Sequence, residues 1–347
     1  MGLQIGEIVP KKEIKLEQLQ GRIIAVDSFN TIYQFLANIR QPDGTPLMDK
    51  KGNVTSHLSG LFYRTINLLQ LGIKPIFVFD GKSPELKKAE LEGRESRKKE
   101  AREKYEMARE RGEITEMYKY SKQMLKLSED MIKDSKKLIK DMGLPVIQAP
   151  SEGEAQCSWL VKKGDAYSVA SQDYDSLLFG TPRLIQNMTL AKKRKLASGA
   201  YVSIQPQIIE TARVLKELGI NHEQLICLGI LTGTDFNPGG IRGIGPKKAL
   251  QLVKQYKKPA TIFEVVEKQL KEAEQEMNFD WRKIFDLFQN PNVTDNYSIE
   301  FNKPNEKEII SFLCHKHDFS EERIKSGLQK LYHTKEKRKQ QDLAKFL

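Results

Sequence analysis

The sequence has few cysteines, few histidines and no long apolar run, and each shortage closes off a class of function. Among its 347 residues only Cys157, Cys227 and Cys314 are cysteines, far apart and without a C-x-x-C pair. That spacing argues against a disulfide scaffold or a thiolate zinc site and points to reduced thiols inside a cell. Five histidines include one H-x-H pair, His315 and His317, but no second pair to complete a zinc set, so both are expected to be incidental surface residues. No apolar stretch approaches the ~20 residues that cross a bilayer. The opening MGLQIGEIVPKKE carries no apolar core of signal-peptide type, and Gly6 stands where a myristoylation signal has Ser or Thr. No membrane partner is expected. No Ser/His/Asp or Cys/His set lies at a spacing useful for nucleophilic catalysis.

What the chain has in quantity is charge. Charged residues make up 30% of it against 39% hydrophobic, the net charge is +11 and the pI about 9.3. A chain of this length can still bury a substantial core. A basic total favours a polyanionic partner only modestly, so the placement of the acids must decide.

Four short apolar runs share one design. GRIIAVD ends at Asp27, IKPIFVFD at Asp80, GLPVIQAPSEGE at Glu152 and Glu154, and AYSVASQDYD at Asp173 and Asp175. Each run is continuous rather than alternating, which suits strands of a parallel sheet covered on both faces. Helix-like segments separate them, such as HLSGLFYRTINLLQLG with Gly72 as a stop signal. Strand–helix alternation predicts an α/β domain with a mostly parallel sheet flanked by helices. In such sheets ligands bind beyond the carboxyl ends of the strands, where every one of these acids falls. If the chain stays extended through QDYD, Asp173 and Asp175 lie on one side of it. The bland alternative is a set of separate caps facing water. For Glu154 that reading is specific, because Ser151-Glu152-Gly153-Glu154 fits the S-x-x-E capping box.

From Lys82 to Lys140 the composition changes: 18 basic and 13 acidic residues, with no proline after Pro84. This predicts two or more long polar helices, broken near Gly93 and around Gly112. Solvated helices are a common use of such sequence. Inserted just after Asp80, however, they would rise over the acidic edge, a net-basic cover on an acidic pocket. Lys87 and Arg94 are seven residues apart and would share a face. KKRK at 192–195 reads as a basic loop or hairpin tip. In LGILTGTDFNPGGIRGIGPKKALQLV (228–253), Asp235 follows an apolar helix-like run. The Gly-rich loop then leads into a second helix, backed by Lys247 and Lys248. It is no Walker loop. Its exposed amides at a helix N-terminus suit a DNA phosphate; the plainer reading is a structural helix–hairpin–helix turn, and the two are compatible.

Asp27, Asp80, Glu152, Glu154, Asp173, Asp175 and Asp235 form an all-oxygen set. Hard ligands without Cys or His point to Mg²⁺, with Mn²⁺ as a substitute. Seven acids exceed the need of one ion, whereas two ions about 3.5–4 Å apart would use them all for in-line attack on a phosphodiester.

The sequence also resembles the flap endonucleases of the structure-specific 5′-nuclease superfamily over essentially its whole length. YQFLANIRQ, TSHLSGLFYRTI, VFDGKSPELK, QAPSEGEAQ, ASQDYDSLLFG, IRGIGPKKA and FSEERIKSG match that family's motifs in order and spacing. The resemblance implies a two-metal nuclease cutting 5′ flaps at single-strand/duplex junctions, with 5′–3′ exonuclease activity, in Okazaki-fragment maturation, replication and repair. It implies metal roles for the seven acids and scissile-phosphate roles for Lys87 and Arg94. It implies base stacking by Tyr33, template-strand contacts by Arg40 and Arg64, and a 3′-flap pocket around Leu47, Thr55 and Phe319. A helical arch over the active site is implied. So is a helix–two-turn–helix element with Gly243, Gly245, Lys247 and Lys248 on duplex backbone and K⁺ in its turn, where Gly240 replaces a common hydroxyl side chain. Residues 1–330 would form one nuclease domain: an N-terminal region at about 1–105, the arch at about 82–135, and an internal region at about 136–260. The tail 331–347 ends in QQDLAKFL, whose Gln340, Leu343, Phe346 and Leu347 resemble a box that docks on the sliding clamp PCNA. A monomer acting on genomic DNA is implied, in the cytoplasm of an archaeal cell or the nucleus of a eukaryotic one. Rival readings share some acids: a topoisomerase or primase fold, a phosphatase, or a junction-binding scaffold without chemistry.

Overall fold

The computed structural model describes residues 3–41, 44–188, 193–195 and 201–331, with backbone only for 193–195 and 201–203; the proposed clamp box lies outside the described residues. The strands are β1 (Lys12–Glu13), β2 (Ile23–Asp27), β3 (Lys74–Phe79), β4 (Val146–Gln148), β5 (Ser168–Ala170), β6 (Arg183–Gln186), β7 (Lys193–Lys195), β8 (Tyr201–Ser203) and β9 (Gln207–Glu210). Seven form one sheet in the order β1-β9-β6-β5-β2-β3-β4. β6, β5, β2, β3 and β4 run parallel, while β9 pairs antiparallel with β6 and β1 with β9. The chain moves from β2 outward through β3 to β4, then returns to the other side of β2 with β5 and β6. Strand order therefore reverses between β2 and β5, the crevice where open α/β sheets receive ligands. The basic KKRK stretch supplies β7, one arm of an antiparallel hairpin with β8.

Both faces of the sheet are covered, which is why its strands read as continuous apolar runs. Ile24, Val26, Phe77 and Phe79 face one core with α1 (Ser28–Asn38), α2 (Ser56–Gln70) and the helix at 129–141. Ala25, Ile76, Val78 and Val169 face the other, with the helices that follow β4 and β9. Neighbours alternate with period two, so Asp27 after Val26 and Asp80 after Phe79 are carried to the same face.

Between β3 and β4 the chain forms α3 (Lys88–Glu110), α4 (Ile114–Gln123) and α5 (Glu129–Asp141). Gly93 does not break α3, which runs on for 23 residues, about 35 Å. One glycine costs such a helix only ~1 kcal/mol, and good helix formers on both sides absorb it. Gly112, at φ +68°, does end it. α6 (Gly153–Lys163) joins β4 to β5, and α7 (Asp175–Leu178) follows β5. Further described helices are α8 (Thr211–Leu218), α9 (His222–Thr232), α10 (Pro246–Tyr256), α11 (Pro259–Glu272), α12 (Trp281–Gln289) and α13 (Glu306–Ile310), which runs into a π-helical turn at Ser311–Lys316. Among the described residues no helix is long and apolar enough to cross a membrane.

His317 is not a surface residue. It is 5% exposed and lies between Asp49 and Asp134, 3.3 Å from a carboxylate oxygen of each. Spacing alone could not reveal this, because both partners are distant in sequence.

The exits of β3 and β4 meet backbone to backbone. Gly81 donates its N–H to Ser151 O at 2.7 Å, and a Cβ there would lie 2.2 Å from Ala149 O. Only glycine allows this approach, which brings Asp80 beside the start of α6. No rotamer relieves a clash between Cβ and backbone, so Gly81→Ala is expected to lose about 1–3 kcal/mol of stability in urea unfolding. A neutral substitution would contradict the close contact.

Candidate active site

All seven acids line one cavity of about 240 Å³ at the switch point, together with Phe29, Asn30, Tyr33, Phe179, Phe236, Lys87 and Arg94. Local folding explains each placement. Asp27 ends β2 and caps α1, accepting the Asn30 N–H at 3.1 Å. Asp80 accepts the Gly153 N–H at 2.6 Å, at the N-terminus of α6. A helix N-terminus favours negative charge, so both carboxylates gain from the dipole as well as the bond. Glu154, in the first turn of α6, does not close a capping box. It accepts from Ser171 Oγ at 2.9 Å and Ser176 Oγ at 3.3 Å, inside the site.

Asp173 and Asp175 are not on an extended strand. β5 ends at Ala170, the chain turns, and Asp175 opens α7. The turn still brings both into the cavity. Asp173 accepts from Asn30 Nδ2 at 2.7 Å, and Asp175 from the Leu3 N–H at 3.2 Å. Asp235 follows α9, on the far wall.

So many carboxylates in one low-dielectric place cannot all be ionised without counter-charge. Burial, reinforced by Asp80, pushes Asp27 up to about 8. Burial, with Asp235 and Asp173, pushes Asp175 up to about 8. Burial and Glu152 raise Asp80 to about 6. Glu154 and Asp173 are raised by burial and by their neighbours' charges. Asp235 goes the other way: burial opposes ionisation, but Lys87 and Arg94 outweigh it.

Those two cations are the internal counter-charge. Lys87 Nζ lies 2.6 Å from Glu152 Oε2 and 3.3 Å from Asp235 Oδ2. Arg94 Nη2 lies 2.9 Å from the same Asp235 oxygen. Burial alone would favour a neutral Lys87, but Glu152 and Asp235 overcome it and keep the ammonium charged. Among the described residues no three His, Cys, Asp or Glu side chains already form a ready-made ion cage. The acids line the wall, and the ammonium stands between two of them. The donor chemistry fits a hard divalent cation nonetheless: carboxylates only, buried or half-buried, five of them raised by burial and by one another's charge, which such an ion would relieve.

The other expected site residues fall into separate regions. Tyr33, on α1, lines the cavity. Arg40 follows α1 and is already engaged, with Nη1 on Gly44 O at 2.6 Å and on Ser121 Oγ of α4 at 2.8 Å. Arg64 is half-buried on α2. Leu47 and Thr55 belong to one loop, where the Thr55 N–H donates to Leu47 O at 2.7 Å. That loop is tied to the turn before Phe319 by His317 on Asp49 and by the Lys50 N–H on Asp318 at 2.8 Å. Leu47, Thr55 and Phe319 thus share one neighbourhood away from the acids. Gly243, Gly245, Lys247 and Lys248 are exposed at the α9–α10 turn. In that turn Gly240 sits at φ +57°, and a Cβ would lie 2.5 Å from Leu231 O. Sequence reasoning missed Asn30 and Ser171, which hydrogen-bond to the acids, and Glu90, a buried partner of Arg94. Asn30 lies three residues after Asp27 and Ser171 two before Asp173, the only signal available for either.

Raised acids have a consequence for stability. Asp27 and Asp175 keep their protons to about pH 8 in the folded chain but lose them near pH ~4 when unfolded. The unfolded state binds fewer protons in that window, so their contribution to stability is full below it and is lost as pH rises through it. In EDTA the melting temperature of the parent protein is expected to fall from pH 5 to pH 8 more steeply than that of Asp27→Asn. Mg²⁺ is expected to remove most of the difference in slope. Parallel pH profiles without metal would contradict the assignment.

Residues 3–101 match the XPG N-terminal domain and residues 143–235 the XPG I-region. The chain is 53% identical to flap endonuclease 1 of Thermococcus onnurineus over 332 residues, 95% of this chain and 94% of that protein. It is 51% identical to flap endonuclease 1 of Saccharolobus solfataricus over 323 residues, 92% of this chain and 91% of that one. Among solved structures it is similar to flap endonuclease-1 from Methanococcus jannaschii, with a TM-score of 0.75 at 40% identity, covering 96% of this chain and 98% of that one. The catalytic core of Rad2 in complex with DNA substrate shares the fold, with a TM-score of 0.70 at 24% identity over 94% of this chain and 97% of that one. With likeness running through nearly its whole length, and with the acid-lined cavity at the sheet's switch point, the chain belongs to the flap endonuclease 1 family, whose nucleases depend on divalent metal ions.

Proposed function

We propose that the protein cleaves single-stranded 5′ flaps where they join duplex DNA, with 5′–3′ exonuclease activity as a side reaction. The observation that carries this reading is the wall of buried and half-buried carboxylates faced by Lys87 and Arg94. Asp27, Asp80, Glu152, Glu154, Asp173, Asp175 and Asp235 would hold two Mg²⁺, or Mn²⁺ in their place, which when bound supply Lewis-acid charge and an activated water to a phosphodiester.

The chain's own residues orient the substrate. With the acids neutralised, Lys87 and Arg94 exchange their carboxylate partners for the scissile phosphate, Lys87 as a point charge and Arg94 as a planar fork. Tyr33 stacks on the base beside the cut, a contact open to any base. α3 and α4 form an arch over the site, and the flap passes beneath it. Arg40 and Arg64 hold the template strand. Leu47, Thr55 and Phe319 receive a 3′ flap. Duplex backbone lies on the amides of Gly243 and Gly245 and on Lys247 and Lys248. Gly240 offers no hydroxyl, so a K⁺ ion in that turn would have to be held by backbone oxygens. Specificity comes from junction shape and bendability rather than base reading. Gln340, Leu343, Phe346 and Leu347 dock the tail on a sliding clamp.

Single-turnover cleavage of a 5′-flap duplex, with and without Mg²⁺, tests the reading. Asp173→Ala is expected to abolish cutting while still binding the flap, and normal cutting by it would remove the central assignment. Lys87→Ala is expected to lower the cleavage rate by about 10²–10³ with little change in DNA affinity. A pure loss of affinity would take Lys87 out of the chemistry.

A further inference from the structure

Only three residues of α3 are buried, and one of them is a carboxylate. Glu90 is 2% exposed on an otherwise polar, solvated helix. It forms an ion pair through Oε2 with Arg94 Nε, and through Oε1 with Arg97 Nη2 at 3.1 Å. Residues 90, 94 and 97 follow i, i+4, i+7 spacing, so all three lie on one face. An exposed i, i+4 pair would add only about 0.3–0.5 kcal/mol to the helix and would need no burial. A buried carboxylate is costly unless its partners are held in good geometry. Here the geometry concerns Arg94, whose guanidinium is gripped on two sides: Nε on Glu90 and Nη2 on Asp235 at 2.9 Å. Charges alternate along the whole row, Glu152–Lys87–Asp235–Arg94–Glu90–Arg97.

We propose that Glu90 is a positioning residue for cleavage: it fixes the guanidinium plane of Arg94, and secures Arg97 beside it, so that the free edge of Arg94 faces the cavity when the scissile phosphate arrives. This rests on the reading of Arg94 as a phosphate-binding residue. Asp235 belongs to the acid wall and turns to other charge when the site is loaded. Glu90 lies outside that wall and keeps its hold. A rigid planar fork is useful only when its plane is set in advance, because a misplacement of about 1 Å can cost ~10²-fold in rate. Without Glu90, Arg94 keeps its charge but gains freedom to swing fully onto Asp235.

The test is a double-variant comparison using single-turnover cleavage of a 5′-flap duplex at saturating DNA, with flap affinity measured alongside. Glu90→Gln is expected to slow cleavage by about 10–100-fold, with affinity changed far less. In the Arg94→Ala background the same substitution is expected to add less than about two-fold, because the residue it acts through is gone. Glu90→Asp, which keeps the charge, is expected to recover part of the rate and covers the case in which Glu90→Gln folds poorly. If Arg94→Ala slows cleavage but Glu90→Gln does not, the inference is overturned while the reading of Arg94 stands. Equal losses in both backgrounds would overturn it as well, making Glu90 a plain structural residue. A normal rate for Arg94→Ala would remove that reading itself, and this inference with it.

Discussion

Crowding of carboxylates out of water, where desolvation and then mutual repulsion both oppose their ionisation, is the constraint on which the rest of this structure depends. Seven acids share one small cavity, where the dielectric is low and each ionised group disfavours the next. The sheet gathers six of them because parallel strands all end on the same edge, and α9 delivers Asp235. It cannot make them compatible. The surrounding chain does that with three kinds of partner. The N-termini of α1 and α6 receive Asp27 and Asp80, neutral donors reach Asp173, Asp175 and Glu154, and Lys87 and Arg94 neutralise Glu152 and Asp235. The first two kinds are fixed. In the proposed reading the third is exchanged for substrate.

The inserted helices therefore have an electrostatic task before any steric one. Lys87 follows Asp80 by seven residues, on a short 3-10 turn (Glu85–Lys87) that leads straight into α3. The inserted helices are tied to the acid wall through Lys87, on Glu152 and Asp235. The next helix, α4, is anchored independently, by Arg40 on Ser121. A residue expected on the template strand is thus also a strut for the arch.

Much of this was legible in the sequence, for a physical reason. Strands buried on both faces must be continuous apolar runs, so carboxylates at their ends are conspicuous, and strand–helix alternation fixes them to one edge. Long-range pairing was not legible. His317 reads as a surface residue until the fold brings Asp49 and Asp134 to it. Glu154 reads as a cap until Ser171 and Ser176 are seen beside it. The extended path through QDYD fails because the local preference for a turn and a short helix wins over strand continuation, yet Asp173 and Asp175 still reach the cavity. Gly93 reads as a break, but a single glycine does not stop a helix with strong formers on both sides. Glu90 could have been found from its i, i+4, i+7 spacing to two arginines, though its burial could not.

The central claim is that this acid wall is built for divalent cations, with Lys87 as the replaceable counter-charge. Anomalous X-ray scattering from crystals of the protein soaked in Mn²⁺ tests it most directly. Manganese peaks in the cavity between Asp27, Asp80, Glu154, Asp173 and Asp175, with Lys87 withdrawn from Glu152, are the expected result. A cavity without manganese, Lys87 still seated on Glu152 and Asp235, would contradict it.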